Sequence, residues 1–411
     1  MSAPGAHVDR GLGVTAAAGF TAAGVACGIK PSGGLDLALV VGRPGTIAAG
    51  TFTTNQVVAA PVVWSRRRLA ASADARVVVV NSGNANACTG EAGEAAVLAT
   101  VRHAAAEVGC APEQVLACST GVIGLPLEVD KLTHGIAKAA RDLGRAGGEA
   151  AAEAIRTTDT VSKQAGVVFG GVTVAGMAKG AAMLAPALAP AGGPSDLRRP
   201  HATMIAVLTT DAVAEPGVLR RALAEACASS FNRITVDGAQ STNDTVLLFA
   251  SGASGVSPRA GDLTGAVQAV CYDLAGQMLA DAEGGTKVFS VHVGGAGTVE
   301  AACAVARRVA DSPLVKTAVY GGDPNWGRIL QAAGAAGVEL DPARVRLEVR
   351  GAPGPVVLVS DGAPTGADAS AAFAASEVEV RLHLGGTGPW ACVRAADLTP
   401  EYVRLNSEHT T

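Results

Sequence analysis

The sequence of 411 residues contains few aromatic and few charged side chains. Aromatic residues make up 3% of the chain and charged residues 17%, and the formal net charge is −4. Proteins that bind nucleic acids use clustered Lys and Arg for the phosphates and aromatic rings for the bases. The shortage of both predicts a protein without a nucleic-acid partner.

Long apolar runs are also missing. No stretch approaches the roughly 18 consecutive apolar residues that a membrane-spanning helix requires. The N-terminal segment is rich in Ala and Gly rather than Leu, and Asp9 and Arg10 precede its weak apolar stretch, which is not typical of a signal peptide. We therefore expect a cytoplasmic protein without a membrane partner.

Cysteines in metal-binding or redox spacing are absent. The chain has eight cysteines and no C-x-x-C pair, and they are scattered over positions 27, 88, 110, 118, 227, 271, 303 and 392. Zinc sites and disulfide frameworks both depend on regular cysteine spacing. The sequence therefore predicts no metal and no cofactor, and it suits a reducing compartment.

Apolar residues, in contrast, are plentiful at 49%, and strand-like runs alternate with Ala-rich helical stretches. The pattern predicts a buried strand within Ala75–Asn86, helices over Gly90–Gly109 and Leu127–Gly144, and a hairpin followed by a short helix over Val167–Leu184. Such a mixture indicates a layered α/β or α+β sandwich. The order of the strands does not follow from the pattern.

One stretch, Ala185–Pro200, has neither a helical nor a strand period and is rich in Ala, Pro and Gly. It is predicted to be a linker. Shortly after it, Met204–Leu208 is an unbroken apolar run, typical of a strand that is covered on both faces. Thr203 stands between the linker and this strand.

Thr203 suits a nucleophile only if the chain is cut before it. A threonine hydroxyl needs an adjacent base, and the α-amine of the same residue, with an ordinary pKa of about 7.7–8.0, can serve once the preceding peptide bond is broken. Ala202 is small, and the Thr203 hydroxyl can attack its carbonyl. On spacing alone, the alternative that Thr203 merely begins a strand is favoured.

Several other residues carry side chains suited to catalysis or binding. A strand predicted within Glu113–Gly124 stops in a Thr-Gly turn, which places Thr120 and Gly121 at its end. There a hydroxyl and a backbone N–H can face one point, as in an oxyanion hole, or form an ordinary turn. Lys179 and Glu283 could bind groups of opposite charge or be solvated surface residues. Thr157 lies in "TTDT", which equally suits helix capping.

Six motifs occur in one order along the chain: "TTDT", "GMAKG", "ATM", "SFNRITVDG" followed by "STNDT", "KTAVYGGDPNWGR" and "YVRLNSEHTT". Each is weak alone. Together, from about Gly13 to Thr411, the sequence resembles the ornithine acetyltransferase family, also called bifunctional arginine biosynthesis proteins or glutamate N-acetyltransferases.

This resemblance implies an α+β fold, a layered αββα sandwich like that of N-terminal nucleophile hydrolases in outline but with different connectivity. It implies self-cleavage between Ala202 and Thr203 into an alpha chain, residues 1–202, and a beta chain, residues 203–411. The sequence departs from the family's pattern at residues 185–200, a linker-like insertion beside the scissile bond. It also implies a heterotetramer of two alpha and two beta chains. The acetyl group of N-acetylornithine would pass to Thr203 and then to glutamate, and whether acetyl-CoA is a second donor stays open.

The resemblance also implies roles for individual residues. Thr120 and Gly121 would form the oxyanion hole. Lys179 would pair with a substrate carboxylate and Glu283 with a substrate ammonium. The implied substrate contacts are Thr157, Lys179, Thr203, Glu283, Asn406 and Thr411.

Three alternatives remain open on the sequence. The first is a related acyltransferase of specialised metabolism that acts on another acylated amino acid. The second is an amidase or aminopeptidase that uses the same threonine and passes the acyl group to water. The third is an uncleaved, non-enzymatic binding protein.

Overall fold

A computed structural model of the chain describes residues 7–192, 204–351 and 354–408. Three residues of the predicted site, Ala202, Thr203 and Thr411, lie outside the described residues. The strands are β1 (Phe20–Val25), β2 (Leu37–Gly42), β3 (Ile47–Thr53), β4 (Val77–Asn84), β5 (Val115–Val122), β6 (Lys163–Phe169), β7 (Val172–Lys179), β8 (Leu188–Pro190), β9 (Ile205–Thr210), β10 (Ile234–Thr235), β11 (Thr245–Ala250), β12 (Val288–Gly294), β13 (Arg346–Gly351), β14 (Gly354–Ser360), β15 (Ala363–Pro364), β16 (Glu377–His383) and β17 (Ala391–Ala396). The helices are α1 (Ala60–Ala71), α2 (Gly90–Val108), α3 (Val129–Arg141), α4 (Gly148–Ala154), α5 (Pro216–Ser229), α6 (Ala260–Ala280), α7 (Val299–Ala310), α8 (Pro313–Gly321), α9 (Trp326–Gly334), α10 (Ser370–Phe373) and α11 (Pro400–Glu408).

The described chain forms two compact units. The larger unit contains the described residues up to Asn232 together with Ala239–Met278, and the smaller unit contains Arg233–Gly238 and the described residues from Leu279 onward. Neither boundary coincides with the predicted cut after Ala202. The division into an alpha and a beta chain, which stays a prediction, is therefore not a division into folding units.

The larger unit is built on two sheets. One has four strands in the order β1-β2-β4-β5, and the other has six in the order β6-β7-β9-β11-β3-β8. The sheets share one core between them, to which Phe20 and Val78 contribute from the first sheet and Val207 and Phe249 from the second. Helices α2 and α3 pack on the outer face of the four-stranded sheet, and α5 packs on β3 of the six-stranded one. The predicted αββα sandwich is confirmed in this unit.

The helices of the larger unit begin and end where local chemistry dictates. Helix α2 ends at Gly109, whose left-handed φ of 69° is the usual way to close a helix. Helix α3 buries Leu132, Ile136 and Ala139, spaced to line one side of a helix. Helix α5 starts with Pro216, whose missing N–H costs nothing in the first turn. The helices predicted at 90–109 and 127–144 are thus confirmed.

The strand predicted after Thr203 is also confirmed. All six residues of β9 are buried. It pairs in parallel with β11 and antiparallel with β7, so its backbone is hydrogen-bonded on both sides. The apolar run from Met204 therefore becomes an inner strand of the six-stranded sheet.

Two predictions for the segment from β6 to β8 need correction. The hairpin of β6 and β7 is present, but the short helix expected after it is not, because Gly180 and Met183 have φ angles of 151° and 48° that no α-helix contains. The predicted linker begins too early, since Leu188–Pro190 forms an edge strand on β3. The amide of Asn232 binds both the N–H and the carbonyl of Leu188, at 2.8 and 3.1 Å, and so imitates a neighbouring strand.

The smaller unit has one seven-stranded sheet in the order β10-β17-β12-β16-β13-β14-β15. Along β12 buried and half-buried residues alternate, and the buried ones, Phe289, Val291 and Val293, join a core shared with α7, α8 and α9. Each of these helices has a side-chain cap, from Thr298, Ser312 and Asn325 respectively. The "DPNWGR" motif is therefore the start of α9, where Asn325 accepts a hydrogen bond from the N–H of Arg328 at 3.2 Å.

Helix α6 is the longest described helix, with 21 residues, and it carries Asp262 and Asp273. Neither α6 nor any other helix within the described ranges combines the length and the apolar character needed to cross a membrane.

Candidate active site

Met204, which follows Thr203 and precedes β9, is held from two sides. Met204 is fully buried, and its backbone N–H donates a hydrogen bond to Oδ1 of Asp244 at 2.5 Å. Its carbonyl accepts from the N–H of Thr245 at 3.0 Å. Asp244 itself is 0% exposed. The chain on the carboxyl side of the proposed nucleophile is thus fixed by the "STNDT" motif.

The residue before Asp244 reaches a different part of the same unit. The side-chain amide of Asn243 donates to the carbonyl of Ala85 at 2.7 Å and to the carbonyl of Ser119 at 2.8 Å. Ser119 directly precedes Thr120, the first residue of the predicted oxyanion hole. The consecutive side chains of Asn243 and Asp244 therefore connect Ser119 in β5 with Met204, which precedes β9.

Thr120 and Gly121 lie at an irregularity in the β4–β5 ladder rather than in a turn. The prediction that the strand stops in a Thr-Gly turn was wrong, because β5 continues through both residues to Val122. The pairing shifts between Gly83 and Asn84, and Gly121 has a φ of 130°. A Cβ on Gly121 would lie 2.3 Å from the carbonyl carbon of Gly83, so only glycine fits. Bulges of this kind re-aim the backbone and commonly lie at functional sites.

Lys179, the last residue of β7, is buried beside Thr120. It is 3% exposed, and its Nζ donates to Oγ1 of Thr120 at 3.2 Å. In the register of β7 with β9, Lys179 pairs with Ile205, two residues after Thr203 in the sequence. The alternative of a solvated surface lysine is therefore wrong.

The buried carboxylate of Asp159 contacts the residues around Lys179. The sequence had not assigned Asp159 to the site. Asp159 is 3% exposed, and its Oδ1 accepts from Lys163 Nζ and from the N–H of Gly180, both at 2.7 Å. Burial by itself raises the pKa of Asp159, but the charges of Lys179 and Lys163 and the hydrogen bonds of Gly180 and Lys163 outweigh it and lower the pKa to about 2. Asp159 is therefore an anion at neutral pH.

Thr157 belongs to the same network through its backbone. Its N–H donates to Oδ2 of Asp159 at 3.2 Å, while Arg156 donates from two guanidinium nitrogens to the carbonyl of Asp159 at 3.1 and 2.7 Å. These hydrogen bonds fix Arg156 and Thr157 next to Asp159. The only sequence feature that pointed to this network was Asp159, the acidic residue inside the "TTDT" motif.

The smaller unit places two further predicted residues together. Asn406 of α11 donates from its amide to Oε2 of Glu283 at 2.9 Å. The turn that follows Glu283 packs tightly on this helix, since a Cβ on Gly284 would lie 2.5 Å from the backbone nitrogen of Tyr402. Glu283 is thus positioned by the C-terminal helix. Its role as a substrate contact, and that of Asn406, stay predictions.

Comparison with known proteins identifies the family. The model of the ArgJ family matches residues 21–411. The chain belongs to the ArgJ family. Among ArgJ relatives, the arginine biosynthesis bifunctional protein of Mycobacterium bovis is 47% identical over 413 residues, which cover 98% of this chain and 97% of the relative. The corresponding protein of Streptomyces coelicolor is 45% identical over 402 residues, which cover 97% of this chain and 100% of the relative.

A solved structure from the ArgJ family is also similar in sequence. The ornithine acetyltransferase of Mycobacterium tuberculosis, in complex with ornithine, is 50% identical over an alignment that covers 45% of this chain and 100% of that chain, with a TM-score of 0.44.

Proposed function

We propose that the protein transfers the acetyl group of N-acetylornithine to glutamate through an acetyl ester on Thr203, as an acyltransferase of arginine biosynthesis. Membership of the ArgJ family supports the reaction class. The observation that carries the site is the position of Lys179, whose side chain donates to Thr120 while its backbone pairs with Ile205. One buried cation therefore links the proposed oxyanion hole to the strand that follows the proposed nucleophile.

The first step is self-cleavage. The hydroxyl of Thr203 attacks the carbonyl carbon of Ala202, the C–N bond breaks, and an ester joins the two residues. Water then hydrolyses this ester, which leaves a carboxylate on Ala202 and an amino group on Thr203. A fixed backbone favours such an attack. The hydrogen bond from Met204 to Asp244 supports this step because it restrains the peptide on the carboxyl side of Thr203.

In acetyl transfer, the new amino group takes the hydroxyl proton of Thr203 as the oxygen attacks the acetyl carbonyl of the donor. Ornithine leaves with the proton, and the amine of glutamate then attacks the acetyl ester. Both steps pass through an oxyanion, for which the proposal assigns the Thr120 hydroxyl and the Gly121 N–H as donors.

Lys179 orients the Thr120 hydroxyl for this purpose. A hydroxyl has one proton to donate and accepts through its lone pairs. Because the Lys179 ammonium already donates to the oxygen of Thr120, the hydroxyl proton points elsewhere and is available to an oxyanion. The adjacent positive charge also favours negative charge on that oxyanion.

The remaining roles are part of the same proposal. Thr157, Lys179, Thr203, Glu283, Asn406 and Thr411 contact the substrates, and a heterotetramer of two alpha and two beta chains is the proposed assembly. The relatives are named bifunctional, which supports a second activity, the acetylation of glutamate by acetyl-CoA. Glutamate acetylation without N-acetylornithine but with acetyl-CoA tests this second activity.

Two measurements test the proposal. Intact mass spectrometry of the purified protein is expected to show a fragment that begins at Thr203, and Thr203→Ala is expected to abolish both cleavage and turnover. Ornithine should form from N-acetylornithine and glutamate without acetyl-CoA. A fully active single polypeptide would contradict the mechanism, and acetate release that is independent of glutamate would indicate an amidase.

A further inference from the structure

A buried carboxylate shapes the loop that follows β1. Asp36 is 0% exposed, and its two oxygens accept hydrogen bonds from four consecutive backbone N–H groups. These belong to Cys27, Gly28, Ile29 and Lys30, at 2.7, 3.0, 2.6 and 3.0 Å. A loop whose backbone is held at four successive positions presents its side chains in a fixed place.

This loop lies on the backbone irregularity that shapes the proposed oxyanion hole. A Cβ on Gly83 would lie 3.1 Å from Cγ2 of Ile29 and 3.2 Å from Cγ of Lys30. Gly83 pairs with Gly121 in the β4–β5 ladder. The aliphatic stem of Lys30 therefore lies against Gly83, the ladder partner of Gly121.

The ammonium of Lys30 is a partly buried cation. Its Nζ donates to the carbonyl of Leu35 at 2.7 Å, and an ammonium has three protons to donate. Within the described ranges no carboxylate forms an ion pair with it, and the oxygens of Asp36 accept hydrogen bonds from backbone N–H groups. Burial lowers the pKa of Lys30, and the charges of Arg156 and Lys179 act in the same direction, against Asp36 and Glu153.

Charges of both signs surround the Lys30 ammonium. The charges that act on Lys30 are those of the cations Arg156 and Lys179 and of the carboxylates Asp36 and Glu153. A partly desolvated cation is stabilised by an anionic ligand. N-acetylornithine carries one carboxylate and one ammonium, whereas glutamate carries two carboxylates and one ammonium.

We propose that Lys30 binds the second carboxylate of the acceptor, which makes the site selective for an acidic amino acid. The inference rests on the proposed function. Lys179 is assigned the carboxylate that both substrates share, and Lys30 the one that only the acceptor has. Lys30 is thus a specificity-determining residue, and its ammonium contributes to acceptor binding rather than to the bond-making steps.

The test compares Lys30→Met, which keeps the stem and removes the charge, with Lys30→Arg, which keeps the charge. The matched control is Lys138→Met, an exposed lysine on α3. The expected result for Lys30→Met is a rise in the KM for glutamate of about 10- to 100-fold, the value of a hydrogen bond to a charged group, with kcat at saturation within about 3-fold. Lys30→Arg is expected to retain most of the affinity.

Two comparisons make the assignment specific. The KM for N-acetylornithine should stay within about 3-fold of the wild type, because the donor lacks the second carboxylate. The preference of the wild type for glutamate over glutamine should disappear in Lys30→Met. An unchanged glutamate-to-glutamine ratio, or an equal rise in both KM values, would overturn the proposal.

A failure of the proposed function can be distinguished from a failure of the Lys30 assignment. Self-cleavage involves no free substrate, so intact mass spectrometry of Lys30→Met reports whether the site has folded and matured. If the wild type transfers no acetyl group, calorimetric titration with glutarate still tests Lys30. Binding that is at least about 10-fold weaker in Lys30→Met supports the assignment, and equal binding rejects it.

Discussion

The carboxylate of Asp244 accepts a hydrogen bond from the backbone N–H of Met204 at 2.5 Å, one residue after the proposed nucleophile. Asp244→Ala removes this acceptor and leaves a buried N–H that costs about 1–3 kcal/mol. We expect self-cleavage to slow by about 10- to 100-fold, followed as the decay of the uncleaved mass after synthesis.

Asp244→Asn keeps an oxygen in the same place and should restore most of the cleavage rate. Asp262→Ala, at an exposed position in the first turn of α6, serves as the control and should behave as wild type. Cleavage of Asp244→Ala at the normal rate would show that the contact does not position the scissile peptide.

Gly121 tolerates no side chain. Its φ is 130°, and a Cβ at this position would lie only 2.3 Å from the carbonyl carbon of Gly83, so both the backbone and the space oppose any substitution. Gly121→Ala is expected to lower the free energy of unfolding by more than about 3 kcal/mol or to displace the strand and abolish turnover. Urea denaturation and a turnover assay distinguish these outcomes.

Gly124 provides the matched control, because its φ is 85° and nothing lies within 4 Å of a Cβ there. Gly124→Ala should cost only about 1–2 kcal/mol, which is the effect of the backbone conformation alone. Equal effects of the two substitutions would contradict a steric role for Gly121.

The Thr120 hydroxyl is expected to be necessary for turnover. Thr120→Val keeps the shape of the side chain but removes the donor, and kcat should fall by about 10²- to 10³-fold, as for other oxyanion-hole donors. Thr120→Ser keeps the hydroxyl and should stay within about 10-fold of wild type. Steady-state kinetics on matured protein measure both, and a fully active Thr120→Val would remove Thr120 from the mechanism.

Acid should weaken the larger unit through Asp159. Its pKa in the folded protein, about 2, lies below the ordinary value of 3.8, so the ionised carboxyl stabilises the fold at pH values above about 4. This stabilisation is lost as the pH falls towards 2. Asp159→Asn removes a negative charge that acts on the buried Lys163 and Lys179 and should cost about 3–5 kcal/mol at pH 7.

The stability difference between wild type and Asp159→Asn should therefore shrink between pH 4 and pH 2, as measured by urea denaturation at each pH. Asp130→Asn, at an exposed position in the first turn of α3, is the control and should show no such trend. A pH-independent difference would contradict an ionised Asp159.

The elements that the sequence predicted correctly are those with a strong local pattern. Helices α2 and α3 and strand β9 have apolar residues at the spacing of their final structure, and Thr120 and Lys179 were both singled out from their motifs. The helix predicted after Lys179 is absent because the backbone angles of Gly180 and Met183 exclude it. The local sequence pattern did not indicate these angles.

The connections within the site depend on residues far apart in the sequence. Asn243 binds the carbonyl of Ala85, 158 positions away, and Asn406 binds Glu283, 123 positions away. The burial of Lys179 and the ionisation of Asp159 likewise depend on strand order, which no local period determines. These features follow from the arrangement of the strands in the sheets and not from the local sequence.

The order of strands in the six-stranded sheet has a consequence for the separated halves of the molecule. Strands β9 and β11, which follow the proposed cut, lie between β7 on one side and β3 on the other, which precede it. A severed backbone would therefore not let the fragments drift apart, since each supplies the ladder partners of the other. Halves synthesised as independent polypeptides should aggregate alone and yield enzyme only when they refold in each other's presence.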